Sequence, residues 1–239
     1  VSLDPLVLMT EVDRATQRLL QTVAALDGDA AIAAPSRLPG WTRGHLLAHV
    51  SRNADGLTNL LTWARTGVVT PQYATPDQRE RDIVAGAPRG HAEHLADVRA
   101  SAQRFADAAG EMTAEAWVTI LDIPGAPQPA ARVVWRRLRE VEVHHVDLAA
   151  GYSHSDWPLA FGHRLLHEVA AEFGGRDDAP ALVLCPGDSG HELVIGERAG
   201  APAVSGTACA LAAWLIGRSA GDDLTVSPEG ELPVPPTWI

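Results

Sequence analysis

Residues 138–148, LREVEVHHVDL, place Glu140, Glu142, His144, His145 and Asp147 within two turns of a segment whose apolar spacing predicts a helix. A solvated face seldom needs imidazoles, and a core seldom tolerates carboxylates. A metal site accounts for both. Glu140 and His144 are spaced i, i+4, and Glu142 and His145 are spaced i, i+3, so each pair shares one side of a helix. The apolar stripe runs Val134, Leu138, Val141, Leu148. His145 falls on that line, and Glu140 and His144 lie along one edge of it. Spacing alone does not choose between the pairs, although a histidine on an apolar stripe is more often a satisfied core residue than a ligand.

A second imidazole pair, His45 and His49, occurs in GHLLAHV at the i, i+4 spacing that can hold one metal. The stripe on this segment is Leu46, Val50, Leu57 and Ala64, with His49 at its edge and His45 further out. Taken alone, the segment reads as one buried and one solvated histidine. Two such helices face to face in a bundle are the way bundles build metal sites. Two histidines and one carboxylate leave coordination positions open, which suits catalytic Zn2+ and also non-haem Fe2+. Cys185 in ALVLC and Cys209 in GTACALAAWLIG read as small buried fillers with no adjacent cation, so any reactive thiol is expected from outside the chain. His91 and His94, lying among Arg and Glu, read as surface residues.

The elements that must position these groups change character near residue 155. Before it, long helices are predicted over about 4–26, from Thr42 as N-cap to Gly67, over 89–109 and over 130–150, with a polar stretch containing a short helix at 70–87. Four such helices predict a bundle. After it come a helix at 158–173, short strands in ALVLC, HELVIGE, AVSG and LTVS, and a helix in TACALAAWLIGR. The expected fold is therefore α+β, with a four-helix bundle over 1–155 and a small α+β domain over 156–239. The tail GELPVPPTWI is expected as an extended strap or a loose end.

All 19 basic residues are arginines, which excludes lysine Schiff-base chemistry. A net charge of −11 argues against nucleic-acid binding. No segment approaches the ~18 unbroken apolar residues of a membrane span. No secretory leader opens the chain, so a cytoplasmic location is expected. The protein is expected to act as a monomer.

The stretches LPGWTRGHLLAHVSRNADGLTNLLTWARTG, TPQY and WRRLREVEVHHVDLAAG, followed by LIGRSAGDDL and GELPVPPTWI, resemble the mycothiol-dependent maleylpyruvate isomerase family, part of the wider group of DinB-like metal-binding bundles. The resemblance covers nearly the whole chain in order. It implies Zn2+ held by His49, Glu140 and His144, with His45 and His145 as neighbours, and it assigns Arg218 of WLIGRSAG as an active-site arginine. It implies mycothiol, a low-molecular-weight thiol, as cofactor. The implied activity is conversion of maleylpyruvate to fumarylpyruvate by zinc-activated thiolate addition and elimination. The active site is then expected in the cleft between the domains, with Arg218 reaching the metal from the smaller one. A dicarboxylate substrate in a chain without lysine needs arginine or the metal as partner; Arg79 in PDQRERD is a further candidate, although a solvated loop charge is its simpler reading. Two alternatives share the scaffold: a mycothiol S-transferase acting on another electrophile, and a non-catalytic metal-dependent binding protein.

Overall fold

The computed structural model describes residues 4–123 and 126–238. The outer ends of the two expected domains, 1–3 and 239 (the last residue of the tail), lie outside the described residues. The chain divides into two compact units, one ending at Gly151 and one beginning at Tyr152.

The first unit contains α1 (Pro5–Ala24), α2 (Gly28–Ala33), α3 (Arg43–Thr66), α4 (Gln78–Gly86), α5 (His91–Gly110), α6 (Ala114–Val118), a two-residue antiparallel pair β1 (Ile120–Leu121) and β2 (Gln128–Pro129), and α7 (Arg132–Asp147). The four long helices form a closed ring of neighbours, α1 on α7, α7 on α3, α3 on α5 and α5 on α1. α1 buries Leu8, Val12, Leu19, Leu20 and Val23 while Leu6 is exposed, and α7 buries the expected stripe Val134, Leu138 and Val141. The expected caps are present. Thr42 accepts from the His45 backbone N–H, and Gly67 closes α3 in the left-handed conformation at φ 73°.

Arg43 fixes the register of α3 against α7. Its Nε donates to Leu148 O at 2.8 Å and its Nη2 to Ala149 O at 2.6 Å, satisfying carbonyls just past the end of α7. Ala149 sits there at φ 54°, uncommon for a residue with a Cβ. The first turn of α3 is thereby tied to the last turn of α7, and those turns lie next to the candidate ligands.

His94 departs from expectation. It is fully buried, with Nε2 3.5 Å from Ala87 O. The flanking charges point to a surface position, but His94, Val98, Ser101 and Phe105 share the buried stripe of α5. Burial lowers the His94 imidazole from its ordinary 6.5, against a smaller upward pull from the Ala87 carbonyl. The native state therefore resists a proton that the unfolded chain accepts, so the His94 contribution is full above pH 6.5 and is lost as pH falls below it. His94→Gln should shrink the drop in urea midpoint between about pH 7.5 and pH 5.5; an unchanged drop would refute this role.

The second unit opens with a 3-10 turn, His154–Asp156, then α8 (Leu159–Phe173), β3 (Leu182–Pro186), β4 (Leu193–Ile195), β5 (Ala203–Gly206), α9 (Ala208–Leu215) and β6 (Thr225–Ser227). The sheet order is β4-β3-β5-β6, with β3 and β5 parallel and both outer pairs antiparallel. The observed class is α+β, as expected. Helices α8 and α9 pack together beside the sheet. Their approach depends on Gly162, where a Cβ would fall 2.3 Å from Cys209 Sγ and 3.1 Å from the Cys209 backbone. Gly162→Ala should lower unfolding stability by about 1–3 kcal/mol, the usual range for overpacking, read from denaturant midpoints. An unchanged midpoint would show that the two helices separate freely.

Cys209 is thus a buried contact residue. Cys185 is only partly buried, a correction to its reading as a core filler, because it lies at the end of β3 with Sγ 3.8 Å from Glu192 Oε1. The tail packs as a strap: Trp238 is buried and donates Nε1–H to Glu172 at 3.2 Å, and Arg176 donates to Thr237 O at 2.9 Å.

Candidate metal centre

Three side chains from two helices converge inside the bundle. His49 comes from α3, and Glu140 and His144 come from successive turns of α7. His49 Nε2 lies 3.0 Å from Glu140 Oε2 and 3.1 Å from His144 Nε2, and His144 Nε2 lies 3.3 Å from the same carboxylate oxygen. A tetrahedral ion with bonds of about 2.0–2.1 Å has ligand–ligand edges of roughly 3.3 Å, so the triangle matches one face of such a shell. His49 is almost fully buried, whereas Glu140 and His144 keep 24% and 14% side-chain exposure.

The rival pair on α7 faces elsewhere. Glu142 accepts from Arg18 Nη2 at 2.5 Å, and His145 Nε2 lies 2.8 Å from Thr22 Oγ1, so both residues pack against α1. The choice that spacing left open is thus made by which neighbour each face of α7 meets. His45 is occupied at the start of α3: its Nδ1 accepts from the Thr42 backbone N–H and lies 2.8 Å from Thr42 Oγ1, and its ring stacks on Trp41. Trp41 also meets the His49 ring edge-on, with centroids 5.7 Å apart.

Asp147, one turn beyond His144, completes the arrangement. Its carboxylate lies 2.9 Å from His144 Nδ1. An ionised carboxylate only accepts, so the proton sits on Nδ1 and the Nε2 lone pair is free to face the triangle. Burial opposes charge on His144, but Asp147 and Glu140 outweigh it and raise the imidazole to about 8. Burial would likewise raise the Glu140 carboxyl, but the hydrogen bonds with His144 and His49 outweigh it and hold Glu140 well below the usual carboxylate range. Burial lowers His49. The pocket therefore favours positive charge at its centre, supplied by a proton on His144 or by a metal that replaces it.

The family model for the mycothiol maleylpyruvate isomerase N-terminal domain matches residues 12–149, and that for the C-terminal domain of the same enzyme matches residues 156–237. The chain belongs to the mycothiol-dependent maleylpyruvate isomerase family. A crystal structure of the mycothiol-dependent maleylpyruvate isomerase superposes with a TM-score of 0.91 at 30% identity, covering 100% of this chain and 98% of that one. A histidine-to-alanine variant of that isomerase gives 0.90 with the same identity and coverage. A search of curated protein sequences gives no match. The resemblance seen in the sequence is thereby borne out.

Arg218, the arginine that the isomerase resemblance singles out, follows α9. Its Nη1 donates to Ile216 O at 2.8 Å, and it lines a cavity of about 450 Å³ with Trp214, Ser219, Leu232 and Pro235. Asp147, Trp41 and Tyr73 have no role assigned from the sequence. The i, i+3 spacing of His144 and Asp147 is the available signal for the first, whereas Tyr73 depends on how the chain before α4 folds back on α3.

Proposed function

We propose that the protein is a mycothiol-dependent cis–trans isomerase that converts maleylpyruvate to fumarylpyruvate in the cytoplasm, acting as a monomer, with its metal on residues 1–155 and Arg218 on residues 156–239. The observation that carries this reading is the triangle of His49, Glu140 and His144 in a chain of this family. These residues would hold Zn2+, and the donor set fits it. When bound, Zn2+ and mycothiol together supply a thiolate able to add reversibly to a conjugated cis double bond.

The chain's own groups have separable tasks. Asp147 keeps the His144 proton on Nδ1 and so presents Nε2 toward the metal position. Glu140 is held ionised by its two imidazole neighbours. Arg218 donates to a substrate carboxylate or to the oxyanion formed when the double bond becomes single. Neither cysteine supports an internal nucleophile: burial and Glu192 push the Cys185 thiol up, and Cys209 is packed against Gly162.

The test is an ultraviolet assay of maleylpyruvate conversion with and without mycothiol. Turnover that needs catalytic mycothiol and consumes none of it supports isomerisation; stoichiometric loss of thiol indicates an S-transferase, and no reaction overturns the isomerase reading. A Cys185→Ser, Cys209→Ser double variant should retain both turnover and mycothiol dependence. If it binds metal normally but is inactive, the thiol is internal and this mechanism fails.

A further inference from the structure

Arg79, in the first turn of α4, stands next to the metal triangle without a carboxylate of its own. Its Nη2 lies 3.4 Å from His49 Nδ1, and its Cζ lies 5.9 Å from the centre of the Trp41 ring. It also interacts with Tyr73, whose phenol burial pushes up and Arg79 pulls back down. Among the described residues Arg79 forms no ion pair, while nearby arginines do: Arg81 with Asp77 at 2.6 Å, Arg89 with Asp97 at 2.7 Å and Arg52 with Asp97 at 2.5 Å. The acid of the triangle, Glu140, is already shared by two imidazoles.

A guanidinium only donates, so its contact with His49 requires a lone pair on Nδ1 and hence a proton on Nε2. Coordination through Nε2 requires the reverse tautomer, with the proton on Nδ1. The two uses of His49 exclude one another. A metal-loaded site therefore leaves Arg79 facing an N–H instead of an acceptor, still half-buried and one imidazole ring away from the ligand triangle. Tyr73 adds a hydroxyl on the same side. Its position depends on Gly56, where a Cβ would come within 2.8 Å of Gln72 Cγ and 2.9 Å of Gln72 O.

We propose that Arg79, assisted by the Tyr73 hydroxyl, is the bundle's recognition site for a substrate carboxylate, and that it selects dicarboxylates whose other end lies toward the metal. A fork of donors without a protein anion matches a planar carboxylate bidentately. The proposal rests on the reading of the triangle as a metal centre that binds an anionic substrate.

The experiment uses the full-length, zinc-loaded protein without mycothiol, so that no turnover occurs, and compares calorimetric binding of maleate and its monomethyl ester. Wild type should prefer maleate by about 10-fold, as expected for a charge-assisted hydrogen-bonded pair. Arg79→Gln should erase that preference with zinc content unchanged, Arg79→Lys should keep part of it, and Tyr73→Phe should weaken maleate binding a few-fold. A preference that survives in Arg79→Gln, or its absence from wild type, overturns the proposal. If Arg79→Gln fails to fold, Arg79→Lys decides: undiminished preference with a displaced charge centre counts against bidentate recognition. Isomerisation by wild type with Arg79→Gln unaffected in KM would reject the role of Arg79 and leave the proposed function standing. Arg79-dependent maleate binding without isomerisation would do the opposite.

Discussion

His144→Ala is expected to lose stoichiometric metal, and with it nearly all turnover, whereas His145→Ala keeps the metal. The two residues are adjacent in sequence but face different helices. His144 Nε2 forms one corner of the triangle with His49 and Glu140; His145 Nε2 meets Thr22 on α1. Removing one of three protein ligands leaves a two-ligand site, too few for a catalytic zinc centre. His49→Ala and Glu140→Ala should behave in the same way. Asp147→Ala should lower metal affinity by about 10–100-fold, because the His144 ring loses the partner that orients it. His145→Ala should instead reduce stability by about 1–3 kcal/mol through the loss of a buried hydrogen bond. Metal-to-protein ratios after dialysis against a weak chelator, alongside denaturant midpoints, separate the two classes. Metal retained in His144→Ala and lost in His145→Ala would reverse the assignment of α7.

Arg218→Ala should leave metal content intact and lower kcat/KM by about 10²–10³-fold, the usual consequence of removing one donor to a developing oxyanion. The arginine lies in the second unit and is no part of the triangle, so its loss does not disturb the donor set. The chain has no lysine, so no second permanently charged side-chain type is available to replace its charge. Arg218→Lys should restore part of the rate, since a point charge remains but the bidentate fork does not. The readout is initial rate at saturating mycothiol. A wild-type rate in Arg218→Ala would remove this residue from the mechanism.

Much of the fold is legible in the sequence because local signals agree. Thr42 and Gly67 bound α3, and the stripe of α7 marks its buried side. Legibility fails where a residue's fate depends on a distant partner. Spacing alone does not choose between Glu140/His144 and Glu142/His145; beyond the family resemblance, the placement of α3 and α1 against different faces of α7 distinguishes them. His94 reads as a surface residue when its charged neighbours are weighed above its own place on the α5 stripe. Asp147 is visible in HHVD, yet its task needs the rotamer of His144. Arg79 looks like a loop charge because nothing local shows that the first turn of α4 returns to Trp41 and His49. The short helices α2 and α6 escape a periodicity reading because neither is long enough to establish a repeat.

The clamp of Arg43 and the triangle join the same two helices, and His49 and Glu140, which they bring together, lie 91 residues apart in the chain. A bound ion is therefore a removable cross-link that closes a long loop, and the entropy of that closure enters the folding equilibrium. By mass action such a link raises apparent stability with the logarithm of free metal, by about 2.7 kcal/mol at a hundred times Kd. On the proposed function, free metal would govern together how much of the bundle is folded and how much of the centre is assembled.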